Sequence, residues 1–118
     1  MNTKSRDELN QELRRRILDL PGVTERQNAG IHEDAFFVGR KMFMHIHGHG
    51  HCDIQLPMDV QQRILAEGKA RPHRWAPEKG YITSLVNDEK SLDAVMELIR
   101  MSHQSFAGKQ EARQAENA

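Results

Sequence analysis

The stretch His45-Ile46-His47-Gly48-His49-Gly50-His51-Cys52-Asp53 gathers four of the chain's seven histidines, its one cysteine and a carboxylate. Imidazole, thiolate and carboxylate are ligands of transition metals. Histidine and carboxylate also serve as acids and bases near neutral pH. In an extended backbone alternate side chains share a face, so positions 45, 47, 51 and 53 can be displayed together. Such a row could bind a metal, respond to pH, or simply solvate the wet side of a sheet.

The elements that must position this row follow from turn and cap residues. Ser5 with Glu8 reads as a capping box, followed by Leu9, Leu13, Ile17 and Leu20 at helical spacing and a stop at Pro21-Gly22. Arg14, Arg15 and Arg16 fall on the solvated side of that helix. Ala35–Val38 and Lys41–His47 flank Gly39-Arg40, a two-residue hairpin loop. A three-residue Gly48-His49-Gly50 loop leads into Cys52–Leu56. Pro57 opens a second helix with Val60, Ile64 and Leu65 apolar and Gly68 as terminator. Residues 72–76 read as extended, and a Pro77–Gly80 turn delivers a strand at Tyr81–Val86. Asn87 or Asp88 caps a last helix with the stripe Leu92, Val95, Met96, Ile99, His103 and Phe106. His103 on that stripe reads as a buried or half-buried histidine. This order predicts an α+β fold: one compact domain over residues 1–107, with an antiparallel meander sheet packed on one face by about three helices. Residues 108–118 form a polar tail with no apolar face, expected to fray.

Hairpin geometry converts the histidine row into expected contacts. The first loop pairs Val38 with Lys41, Phe37 with Met42, Phe36 with Phe43, Asp34 with His45, and His32 with His47. The second pairs His47 with His51, Ile46 with Cys52, His45 with Asp53, and Met44 with Ile54. One face then carries Ala35, Phe37, Met42, Met44, Ile46, Cys52, Ile54 and Leu56. The other carries three rows: His32–His47–His51, Asp34–His45–Asp53 and Phe36–Phe43–Gln55, with opposed Cβ atoms about 4.5–5.5 Å apart. In this register the carboxylates beside His45 favour its charged form. The three imidazoles of the first row repel one another's charge, which a divalent metal on His32, His47 and His51 would relieve. Asp34, Phe36, Phe43, His45 and Asp53 complete the candidate face. His73, in the His73-Arg74-Trp75 segment, could converge on it, and Cys52 points inward as a small buried residue.

Bulk properties narrow the classes. Lys+Arg and Asp+Glu each number 17, so the formal charge is zero, which disfavours a nucleic-acid partner. A local basic stretch remains from Arg63 through Lys69, Arg71 and Arg74 to Lys79. One cysteine cannot form an internal disulfide, and residues 1–7 lack the apolar core of a signal peptide. A cytoplasmic domain with no membrane partner is therefore expected. No G-x-S-x-G, Walker loop, H-E-x-x-H or C-x-x-C occurs.

The combination of Leu20-Pro21-Gly22-Val23, Phe37-Val38-Gly39, His45-x-His47 and Asp53-Ile54-x-Leu56-Pro57 resembles the small luciferase-like domain family. So do Leu65-x-x-Gly68-x-Ala70 and His73-x-Trp75-x-Pro77-x-x-Gly80-Tyr81; together these motifs cover about residues 13–106. A fainter similarity runs to the MmcQ/YjbR-like double-wing family, through Leu-Pro-Gly-Val, a Val-Gly-x-Lys hairpin and a closing helix with Ser102 or Ser105. The resemblance implies a compact single-domain α+β fold and carries no catalytic residues across. The luciferase name implies an oxygen-dependent reaction, and the double-wing relatives imply DNA binding.

Three functions stay open. The first is a non-catalytic module whose His/Asp/aromatic face meets a small molecule, a protein partner or a second copy of the chain. The second is a metal-dependent enzyme, hydrolytic or oxygen-using, with a divalent transition metal on His32, His47 and His51. In it, His45, Asp34 and Asp53 would act in acid–base or supporting roles. The third is a nucleic-acid-binding wing.

Overall fold

The computed structural model describes residues 5–28, 33–47, 50–68, 70–72 and 81–116. His32, His49, His73, Trp75, the Pro77–Gly80 turn and the basic residues Lys69, Arg74 and Lys79 lie outside them.

Helix α1 (Arg6–Leu18) begins as the sequence dictates. The Ser5 hydroxyl accepts from the Glu8 amide, and Glu8 accepts from the Ser5 amide. This satisfies two N-terminal donors that the helix itself leaves unpaired. Its buried stripe is Leu9, Leu13 and Ile17. Then follow β1 (Val23–Asn28), β2 (Glu33–Val38), β3 (Lys41–His47), β4 (His51–Gln55), α2 (Met58–Ala66), the two-residue β5 (Arg71–Pro72), β6 (Tyr81–Leu85) and α3 (Glu89–Glu116). The strands form one antiparallel sheet in the order β1-β2-β3-β4-β6-β5. The fold is thus the expected α+β arrangement of an antiparallel sheet with three helices.

Two elements depart from the sequence reading. Strand β1 has one apolar residue in Val-Thr-Glu-Arg-Gln-Asn, so it shows no alternation to read. It is an edge strand, where charged residues guard against pairing with another chain. Arg14 of α1 reaches down to Glu25 on β1 at 2.6 Å and to Asp34 on β2 at 2.7 Å. Helix α3 also runs on past residue 107, to Glu116. Its last turns are rich in Ala, Gln, Glu, Lys and Arg, which favour helix without needing an apolar face.

The core lies on one side of the sheet. Phe36, Val38, Phe43, Met44, Ile46, Cys52, Ile54 and Ile82 are buried there with Leu9, Leu13 and Ile17 of α1 and Leu92, Val95, Met96 and Ile99 of α3. Asp88 caps α3 by accepting from the Ser91 amide at 2.7 Å. This bond holds the exposed Asp88 carboxyl below the usual carboxylate range. Ser102 of α3 lies 2.5 Å from the Gln55 carbonyl and 3.3 Å from that of Phe43. His103 is buried, with Nε2 2.7 Å from the Pro21 carbonyl and its ring edge-on to Phe43.

The β3–β4 register is the one the sequence predicts: Met44↔Ile54, His45↔Asp53, Ile46↔Cys52 and His47↔His51. The β2–β3 register is not. It begins as expected with Val38↔Lys41 and Phe37↔Met42, with Gly39 at φ 61° in the turn. It then slips by one at a bulge, giving Phe36↔Met44, Ala35↔His45 and Asp34↔Ile46. Phe43 is the extra residue, and both Phe36 and Phe43 enter the core at 0% exposure. The regular register would leave both rings on the histidine side. Burying a phenylalanine is worth about 1.5–3 kcal/mol, against about 1 kcal/mol for a ladder hydrogen bond, so the bulge is favoured. Phe37 turns to the other face instead, where the Arg26 guanidinium stacks 4.9 Å from its ring.

Gly50 closes the β3–β4 turn at φ 81°, and its carbonyl accepts from the Val86 amide at 2.9 Å. A Cβ on Gly50 would run into the Val86 carbonyl oxygen. Gly50→Ala should therefore cost at least about 2 kcal/mol, from the left-handed backbone and the collision together, and lower the thermal midpoint by roughly 10 °C. Thermal unfolding followed by circular dichroism measures it; an unchanged midpoint would mean the turn can lift off Val86 freely.

Candidate metal centre

The face opposite the core carries one continuous cross-strand row: Arg26, Ala35, His45, Asp53 and Thr83 stand in register on β1, β2, β3, β4 and β6. His47 lies two residues along from His45 and so shares its face. Nε2 of His45 is 2.8 Å and Nε2 of His47 3.0 Å from the same Asp53 oxygen, Oδ2. The other oxygen, Oδ1, accepts from the Thr83 hydroxyl at 2.6 Å. The two imidazoles meet edge to face with centroids 4.6 Å apart, and the Tyr81 ring lies 5.4 Å from that of His45. His45 and Asp53 are buried, while the His47 side chain stays 34% exposed and leaves the cluster one side open to solvent.

His45, His47 and Asp53 thus each offer one ligand atom, all within 4.8 Å of one another. Two imidazole nitrogens and one carboxylate oxygen are a recurrent donor set for zinc and for non-heme iron.

The sequence places some of these residues correctly and others not. His45 does sit beside Asp53, and His47 does face His51 across the strands. His51 is exposed and stands apart from the three-residue cluster. Asp34 does not flank His45. The bulge turns it to the helix side, where it pairs with Arg14. Phe36 and Phe43 likewise leave the candidate face for the core. The cluster therefore centres on His45, His47 and Asp53, which could each offer a ligand atom. The residues that sequence reasoning did not single out are Thr83 and Tyr81. Their signal is the period-2 pattern of Tyr81-Ile82-Thr83, which alternates between the faces once β6 is known to lie beside β4.

Arg14, Arg15 and Arg16 of α1 are paired within the domain. Arg15 and Arg16 share Glu12, and Arg16 also meets Asp93 at 2.7 Å. These side-chain hydrogen bonds raise the affinity of both guanidinium groups for their protons. The arginine run is thus an internally paired helix face.

The fold and the cluster define an α+β domain with a candidate two-histidine, one-carboxylate centre on its sheet. A family model described as Luciferase domain matches residues 40–102, from the first hairpin into α3. That is more than half of the chain, and it contains the whole cluster; the chain belongs to this family. No curated protein and no solved structure matches the chain.

Cys52 sits between these residues in sequence yet points to the opposite side, into the core. Burial, helped by the neighbouring Asp53 charge, pushes its thiol up to about 12. The thiolate is the reactive form, so the native protein should resist a thiol reagent at pH 8 and react fully once denatured. Rapid labelling of the folded protein would contradict the burial of Cys52.

Proposed function

We propose that this domain binds one divalent transition metal through Nε2 of His45, Nε2 of His47 and Oδ2 of Asp53. It uses the metal's remaining positions to hold a small molecule that donates oxygen or nitrogen. The observation that carries this reading is the convergence of the three candidate ligand atoms on one spot of the sheet, open at His47. Donors of a tetrahedral zinc ion, each about 2.0–2.2 Å from the metal, stand about 3.3 Å apart. The two imidazole–carboxylate spacings, 2.8 and 3.0 Å, lie within about 0.5 Å of that. Binding exchanges the imidazole N–H groups that face Asp53 for lone pairs, which requires both rings neutral with their protons on Nδ1.

When bound, the metal supplies Lewis acidity to whatever occupies its free positions. The residues of the chain hold it and order its surroundings: β3 contributes the imidazoles, β4 the carboxylate, and the open side at His47 admits the outside ligand. The same donor set serves hydrolytic zinc and oxygen-using iron enzymes, which favours a catalytic use of the centre as the second reading.

Elemental analysis tests the proposal on protein made without a histidine tag from metal-replete culture. One metal per chain is expected, lost in both His47→Ala and Asp53→Asn. Wild-type protein without stoichiometric metal, or variants that retain all of it, would overturn the reading.

A further inference from the structure

We infer that Thr83 is a positioning residue of this centre: it holds Oδ1 of Asp53 so that the carboxylate meets a metal through Oδ2 alone. The inference rests on the metal-binding reading above and adds to it how the coordination sphere is limited. Thr83 stands directly opposite Asp53 in the β4–β6 ladder, and its hydroxyl donates to Oδ1 at 2.6 Å. Oδ2, by contrast, is the oxygen that both imidazoles approach. The two oxygens are thereby given separate tasks by two different strands.

A carboxylate without such a donor can turn and chelate through both oxygens, adding a fourth protein donor to the two imidazoles. With Oδ1 tied to β6, the described residues supply three. More of the metal's sphere is then left for an outside ligand, as open catalytic and ligand-binding centres require. Partners of ligating groups fix their orientation in this way, and losing one typically weakens metal binding about 10–100-fold. Threonine suits the task because the β-branched side chain is stiff at χ1 and fits a strand. Valine at the same position keeps the shape and removes only the hydroxyl.

The test is a Co(II) titration of the full chain, read by visible absorption, for wild type, Thr83→Val and Thr83→Ser. The intensity of the Co(II) bands falls as coordination number rises. Thr83→Val should bind about 10–100-fold more weakly and show weaker bands, as Oδ1 joins the metal. Thr83→Ser should restore both affinity and spectrum. A Thr83→Val protein with the wild-type spectrum and affinity overturns the inference and leaves the metal site standing. So does a Thr83→Ser protein displaced as far as Thr83→Val, since the methyl group rather than the hydroxyl would then matter. If Thr83→Val does not fold, Thr83→Ala carries the same comparison. Wild-type protein that takes up no Co(II) overturns the metal-binding reading itself, and shows it before any substitution is made.

Discussion

The Asp53 carboxyl group is buried at 3% exposure on a central strand, and the face of the sheet opposite the core is organised around that fact. A carboxyl group taken out of water is costly unless its oxygens are engaged. Both are engaged here, and by neighbouring strands: His45 and His47 from β3 on Oδ2, Thr83 from β6 on Oδ1. The pairing is a consequence of register, because His45, Asp53 and Thr83 are directly opposed across three adjacent strands. Any slip of β3 or β6 against β4 would strand a buried oxygen and send apolar side chains to the wrong face at once.

The opposite side of the same strands explains why that register holds. Ile46, Cys52, Ile54 and Ile82 alternate with the polar row and belong to a core shared with α1 and α3. The bulge at Phe43 belongs to this economy. It adds two fully buried aromatic rings to the core and leaves Ala35, a small residue, beside His45. Ser102 and His103 of α3 then meet the strand at that point, through the Phe43 carbonyl and ring. The helix side fixes the strands, and the strands fix the cluster.

These dependencies show what the sequence could reveal. Signals within one hairpin are local: Gly at the turn and alternation on both arms determine β3 against β4, so His45 beside Asp53 was legible. The bulge was not. A regular ladder is the default expectation, and only the competition between a net aromatic burial (Phe36 and Phe43 in, Phe37 out) and one ladder bond selects the slip, a tertiary effect. Asp34 was misplaced for that reason. Strand β1 was missed because edge strands are charged rather than alternating. Thr83 and Tyr81 were passed over because α2 and β5 separate β6 from β4 in sequence, so its partner strand is set by packing and not by a turn.

The placement of the cluster on strands rather than loops bears on what it is for. A site mounted on central strands inherits their rigidity, whereas one on a hairpin tip would not. His45, Asp53 and Thr83 all sit within paired backbone, and His47, at the end of β3, reaches the solvent side. A face meant merely to be wet has no need to bury two titratable groups or to divide the two oxygens of one carboxyl group between strands. Buried polar groups held by hydrogen bonds specify geometry. Here the specified geometry points two imidazole nitrogens from one strand at one carboxylate oxygen of the next.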